Sequence, residues 1–221
     1  MPRFFNDKVD SLELFEQLDF KVNEQYEQII ENLSAQKFSI VDEFFSSEEV
    51  DLLRATLLDK YEEDRFKKSA IGNKVNESIE KSIRGDFILW INEAEQSELE
   101  KLFFNKINDL VAYLNRTCFM GILHKEFHYA VYPEGTFYKR HLDTFQNDGR
   151  RKLSIVCYLN DECWQKSNGG ELVIYKENET EEVIYPLPGR VVIFESQFLE
   201  HEVKPVKKDR RLSITGWLKT R

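Results

Sequence analysis

Thr136-Phe137-Tyr138-Lys139-Arg140-His141-Leu142-Asp143 is rich in β-forming side chains and follows Gly135, which breaks the preceding run. Read as a strand, its alternate residues share a face. His141 and Asp143 then project side by side, and Leu142 turns away. Far downstream, His201 lies in Glu200-His201-Glu202-Val203, just after the apolar run Val191-Val192-Ile193-Phe194. A second imidazole from another strand would complete a set of two histidines and one carboxylate. Such a set occupies one face of an octahedral Fe(II) and leaves three positions open.

A His-x-Asp triplet also arises by chance, so its surroundings decide its weight. Beyond His201 comes Arg211, in the strand-like Arg211-Leu212-Ser213-Ile214-Thr215-Gly216-Trp217. A fixed guanidinium grips a carboxylate through two parallel charge-assisted hydrogen bonds. A metal with open positions and a nearby guanidinium together suit a bidentate ligand with a distal carboxylate, a description that 2-oxoglutarate fits.

From residue 121 onward the chain is built of short β-rich runs at 127–132, 136–143, 152–160, 170–175, 181–185, 189–195 and 210–219. Turn signals separate them: Pro133-Glu134-Gly135, Asn147-Asp148-Gly149, Asn168-Gly169-Gly170 and Pro188-Gly189. This pattern predicts an antiparallel sandwich or barrel. In 210–219, Arg211, Ser213, Thr215 and Trp217 share one face and Leu212, Ile214 and Leu218 the other. Run 152–160 divides Ser154, Val156 and Tyr158 from Leu153, Ile155 and Cys157. Tyr158 is placed to hydrogen-bond the carboxylate held by Arg211, and Tyr132 to lie beside the metal. Each tyrosine taken alone also reads as a core or rim residue.

The first half reads as helical support. Residues 1–36 carry large apolar residues at helical spacing and predict a helical extension, packed on the domain or serving to dock a partner. Phe38-Ser39-Ile40-Val41 predicts a short strand. Ser46 with Glu49, and Ser97 with Glu100, are capping-box starts of two helices. Between them, Ile83-Arg84-Gly85-Asp86 precedes an apolar run ending in Trp90-Ile91, and reads either as a surface turn or as a rim that sets Arg84 and Asp86 over a pocket. The domain proper is expected over 37–221, with its barrel at about 121–221.

The chain has 221 residues and a formal charge of −9, with a pI of about 5.1. An acidic chain is a poor candidate for phosphate-backbone binding, so no nucleic-acid partner is expected. Cys118, Cys157 and Cys163 show no paired-ligand spacing and suggest reduced thiols in the cytoplasm. No run suits a signal peptide or a membrane span. His128 reads as a strand residue and His124 as a loop residue, neither a ligand. No phosphate loop or nucleophile elbow is present.

These motifs resemble the Fe(II)- and 2-oxoglutarate-dependent oxygenases, in particular the prolyl-hydroxylase branch. That branch holds the hypoxia-inducible-factor prolyl hydroxylases and bacterial relatives that modify elongation factor Tu. The resemblance covers about residues 38–219. It rests on His141-Leu142-Asp143 with Asn147-Asp148-Gly149-Arg150, then Tyr158-Leu159-Asn160, Gly169-Gly170-Glu171-Leu172, His201-Glu202-Val203-Lys204-Pro205 and Arg211 to Trp217. Ile83-Arg84-Gly85-Asp86 to Trp90 resembles the segment that this branch carries ahead of its barrel.

The resemblance implies an α+β protein whose antiparallel strands form a double-stranded β-helix, a jelly-roll barrel, with N-terminal helices on one side. It implies iron ligands His141, Asp143 and His201. Arg211 and Tyr158 would hold 2-oxoglutarate, with Thr215 near and Tyr132 beside the metal. Arg150, Arg84, Asp86 and Trp217 would face substrate, and a loop over 65–82 would close on it. Strand parity leaves Arg210 as an alternative anchor, but the spacing from Arg211 to Trp217 suits the family. The implied reaction consumes O2 with Fe(II) and 2-oxoglutarate, is supported by ascorbate, and hydroxylates a prolyl residue of a protein, a translation factor among the candidates. A monomer or weak dimer is expected. The rival readings are a hydroxylase of a free amino acid or small metabolite, and a barrel that binds a ligand or partner without turnover.

Overall fold

The computed structural model describes residues 21–69, 83–144 and 149–221. Eleven strands lie among them: β1 (Phe38–Val41), β2 (Lys67–Lys68), β3 (Phe87–Ile91), β4 (His124–Tyr132), β5 (Tyr138–His141), β6 (Arg151–Tyr158), β7 (Leu172–Tyr175), β8 (Glu181–Ile184), β9 (Val191–Glu195), β10 (His201–Val203) and β11 (Arg211–Lys219). A seven-stranded sheet has the order β1-β9-β6-β11-β4-β3-β2, and a four-stranded sheet the order β5-β10-β7-β8. Every pairing among these strands is antiparallel. The two sheets face each other across Ala130, Tyr132, Val156, Tyr158, Val192 and Phe194 on one side and Leu172, Ile174, Ile184 and Val203 on the other. This is the double-stranded β-helix expected from the motifs.

The period of two along β11 divides the molecule. Leu212, Ile214 and Leu218 point outward with Phe127, Tyr129, Leu153, Ile155 and Ile193, and are covered by helices. Arg211, Ser213, Thr215 and Trp217 point into the barrel. Three α-helices supply the cover: α1 (Glu24–Gln36), α2 (Ser47–Glu62) and α3 (Glu98–Cys118). In α1, Tyr26, Ile29 and Leu33 form the buried stripe, and the Tyr26 ring lies edge-on to Tyr113, 5.2 Å away. The described part of the N-terminal extension is therefore built into the core. Both predicted capping boxes are complete. Glu100 does more than cap. It accepts from the Ser97 backbone N–H at 2.8 Å, from Lys60 at 2.6 Å and from the Tyr129 hydroxyl at 3.1 Å, which ties α2 and α3 to β4.

Two boundaries differ from expectation. His124 opens β4 rather than lying in a loop. The run 136–143 is a strand only over Tyr138–His141, so Asp143 sits two residues past its end. Residues 1–20 of the helical extension, 70–82 of the expected closing loop, and Asn147 and Asp148 of the turn motif lie outside the described residues. Among the described residues no helix is long and apolar enough to cross a membrane.

Gly169 and Gly170 form the turn into β7, both at positive φ. A Cβ on Gly169 would overlap the Pro205 carbonyl oxygen, and one on Gly170 would lie 3.2 Å from the Arg211 Cδ. This turn is thus where the backbone comes close enough to seat Arg211. Gly169→Ala is expected to destabilise the fold by about 1–3 kcal/mol through its backbone conformation alone, with the steric overlap adding to that. Urea unfolding of the variant beside the parent checks this.

Candidate active site

β5 and β10 meet with His141 opposite His201, and the register shifts by one before the Val203–Tyr138 pair. This bulge brings Tyr138 and His141 to the same face although they are three residues apart. Their rings stack at 3.6 Å between centroids, 20° from parallel. The His141 Nδ1 lies 2.7 Å from the Lys139 carbonyl oxygen and the His201 Nδ1 3.3 Å from that of Leu199. With Nδ1–H donated to a carbonyl in each ring, both Nε2 lone pairs face inward. The His141 Nε2 is 3.6 Å from Asp143 Oδ1 and the His201 Nε2 3.5 Å from Oδ2. Ligand atoms of the three residues lie within 4.8 Å of one another.

The electrostatics suit a cation. Burial alone would raise the Asp143 pKa, but His201, His141 and the Ser154 hydroxyl outweigh it and hold the carboxyl well below the usual carboxylate range. Burial, then the neighbouring His141, push His201 down to about 4. Two imidazoles with inward Nε2 lone pairs around an ionised carboxylate form a donor set for a divalent transition metal.

On the inner face of β11 Arg211 is 2% exposed. Its guanidinium carbon lies 5.0 Å from the Tyr132 ring centroid and 4.9 Å from that of Tyr158. Nη1 donates to the Ser213 hydroxyl at 3.3 Å, which in turn lies 3.2 Å from the Thr215 hydroxyl. The Arg211 Nε and the Tyr158 hydroxyl are buried and make no well-formed hydrogen bond among the described residues, the hydroxyl lying against the guanidinium without good alignment. Buried donors left unpaired cost free energy. Two such donors close together, one of them the guanidinium's own Nε and the other the Tyr158 hydroxyl, match a carboxylate acceptor. Arg210 is exposed on the other side of the strand, 5.6 Å from the Tyr61 ring, so Arg211 is the inward arginine.

Arg84 and Asp86 form a buried pair rather than a surface turn. Nε donates to Oδ1 at 2.8 Å and Nη2 to Oδ2 at 2.6 Å, and the Ser69 hydroxyl adds a third bond at 2.9 Å. The Arg84 guanidinium lies 4.3 Å from the Tyr138 ring centroid. The pair borders a cavity of about 270 Å³ with Lys68, Ser69, Thr136 and Phe137. The Trp217 ring lies 5.5 Å from that of His128, and its indole N–H has no partner among the described residues. Arg150 is exposed and precedes β6. The neighbouring Arg151 occupies the inward position expected of Arg150: it donates to the Asp143 carbonyl oxygen at 3.0 Å and stacks on Trp217 at 3.6 Å.

Four contributors escaped the sequence reading. Tyr138 was hidden by the bulge, and Arg151 by the adjacent Arg150. Ser154, whose hydroxyl donates to Asp143 Oδ2 at 2.7 Å, was placed on the inward face but given no role. Trp90, which ends the Ile83-to-Trp90 segment of the resemblance, was given no role there and lies opposite His128 in the β3–β4 register.

Residues 127–219 match the 2OG-Fe(II) oxygenase superfamily. A PKHD-type hydroxylase of Synechococcus sp. (strain CC9605) is 40% identical over 88 residues, a match that spans 39% of this chain and 38% of that protein. The fold is similar to a Pseudomonas putida prolyl-4-hydroxylase at 33% identity and a TM-score of 0.80, over 89% of this chain and 99% of that one. It is also similar to a Trichoplax adhaerens prolyl hydroxylase, solved with a peptide fragment of the hypoxia inducible factor oxygen degradation domain. There the identity is 26% and the TM-score 0.80, over 97% of this chain and 94% of that one. The chain belongs to the 2OG-Fe(II) oxygenase superfamily.

His128 makes the wall of this site sensitive to acid. Burial, then the charge of Arg84, push its pKa down to about 3. The unfolded chain takes up this proton near pH 6.5, whereas the folded chain resists to about 3. The contribution is therefore present above 6.5 and lost as the pH falls toward 3. His128→Leu is expected to lose less stability than the parent between pH 7 and 4.5, as measured by urea unfolding at each pH.

Proposed function

We propose that the protein hydroxylates a prolyl residue of a protein substrate, using Fe(II), 2-oxoglutarate and O2 and releasing succinate and CO2. The observation that carries this reading is that the His141–Asp143–His201 cluster and the buried Arg211 guanidinium and Tyr158 hydroxyl lie between the same two sheets of the barrel. His141, Asp143 and His201 hold the iron. Arg211 and Tyr158 bind the distal carboxylate of 2-oxoglutarate, with Ser213 and Thr215 behind the guanidinium. Tyr132 stands beside the metal with its hydroxyl kept protonated, since burial and the Asp86 charge raise its pKa far above the ordinary value. When bound, iron and 2-oxoglutarate supply the activation of O2 that hydroxylation needs.

The remaining residues orient and shield. Tyr138 stacks on His141 and fixes its ring. Arg151 holds the Asp143 backbone from one side and stacks on Trp217. Arg84 and Asp86, already paired with each other, shape the substrate side without adding net charge. A protein substrate is supported by the two prolyl hydroxylase neighbours, one of them solved with a peptide. A translation factor is the substrate class that the motif resemblance suggests. Three cysteines outside any disulfide suit action in the cytoplasm, and a monomer or weak dimer suffices for a site built from one chain.

Succinate release should be stimulated by proline-containing peptides and not by free proline; the reverse would favour a small-metabolite hydroxylase. Asp143→Ala should lose measurable turnover, and turnover equal to the parent would remove the iron role. Tyr158→Phe should raise the KM for 2-oxoglutarate about tenfold or more through loss of a hydrogen bond to a charged group, with kcat changed much less.

A further inference from the structure

We infer that Ser154 and Ser196 form a hydroxyl relay that commits the Asp143 carboxylate to binding metal through one oxygen. The inference rests on the iron role proposed for Asp143. The Ser154 hydroxyl donates to Asp143 Oδ2 at 2.7 Å. The Ser154 and Ser196 hydroxyl oxygens are 2.8 Å apart. A serine has one O–H proton. Ser154 directs its O–H toward the carboxylate, so Ser196 is the donor to Ser154. Both serines are fully buried, and their order has one direction: Ser196 to Ser154 to Oδ2.

The carboxylate needs such a constraint because both of its oxygens reach the centre. Oδ1 is 3.6 Å from the His141 Nε2, and Oδ2 is 3.5 Å from the His201 Nε2. A cation seated between the imidazoles could take either oxygen or both. Binding through both would fill two of the six octahedral positions and leave room for a chelating 2-oxo acid but not for a further ligand. A proton donated to Oδ2 occupies that oxygen and leaves Oδ1 the better donor. Two contacts make the relay rigid. The Ser196 N–H donates to the Lys152 carbonyl oxygen at 3.1 Å, which fastens the end of β9 to β6. Arg151 holds the Asp143 carbonyl oxygen at 3.0 Å. Ser196 also opens the segment that leads to His201, so one hydroxyl chain links the chain segments that carry Asp143 and His201.

Anaerobic titration with Co(II), read by calorimetry and by the d–d absorption spectrum before and after addition of 2-oxoglutarate, tests this on the full chain. Ser154→Ala should weaken Co(II) binding about 10–100-fold and change the spectrum of the 2-oxoglutarate complex. Ser154→Thr keeps the hydroxyl and should restore both. Ser196→Ala should shift both in the same direction by less, and should add little to Ser154→Ala in the double variant, since the two act in series. Parental affinity and spectrum in Ser154→Ala would overturn the relay, and a lowered Tm with unchanged metal binding would do the same. If Ser154→Ala does not fold, Ser196→Ala decides alone, because it touches no ligand: unchanged Co(II) binding there overturns the proposal. Failure of the parent to bind Co(II) would instead remove the iron reading itself.

Discussion

The placement of His201 opposite His141 across two antiparallel strands is the constraint on which the rest of the molecule depends. β5 has four residues and β10 three. Strands so short have little stability of their own. They are held because β10 also pairs with β7 and because the small sheet packs on the inner face of the large one. The large sheet in turn has a second apolar face, and α1, α2 and α3 cover it. The helical layer therefore acts at a distance from the chemistry. It buries the outer side of a platform whose inner side fixes two imidazoles.

The inner face departs from what a barrel core would ordinarily carry. Ser154, His128, Arg211 and Ser213 are buried there among apolar residues. Each is expensive to remove from water unless its polar atoms are paired. Some are paired with one another, as in the Arg211–Ser213 bond. Other inward groups keep an atom with no well-formed hydrogen bond among the described residues: His128 Nδ1, Tyr158 Oη, Arg211 Nε and Trp217 Nε1. Unpaired atoms of this kind concentrated on one face distinguish a ligand cavity from a structural core. On the outer face the buried acid Glu100 is saturated by three donors, as a purely structural group should be.

The architecture was legible because its signals are local and periodic. The alternation in 210–219 set Arg211, Ser213, Thr215 and Trp217 on one face and Leu212, Ile214 and Leu218 on the other, and Ser46-x-x-Glu49 and Ser97-x-x-Glu100 marked two helix starts. The cluster of His141, Asp143 and His201 was legible for the same reason, since each lies at or beside a strand end. Legibility failed where a side chain's position depends on another part of the chain. Tyr138 joins His141 only because a bulge adds a residue to β5. Arg151 rather than Arg150 turns inward because β6 begins at Arg151, a boundary that two adjacent arginines conceal. The residues around Arg84 and Asp86 fit a surface turn as well as a pocket rim, because the contacts from Ser69 and Tyr138 that enclose the pair come from other parts of the chain.

The bulge in β5 has an evolutionary corollary. Insertions at the hairpin between β7 and β8 lengthen a solvent-facing connection and leave the cavity untouched. A single residue gained or lost between Tyr138 and His141 would exchange the two faces of the strand from that point on, sending an imidazole outward and a lysine or arginine inward. Homologous chains should therefore vary freely in length at the first place and keep a strict count at the second, even where the residues being counted have themselves changed.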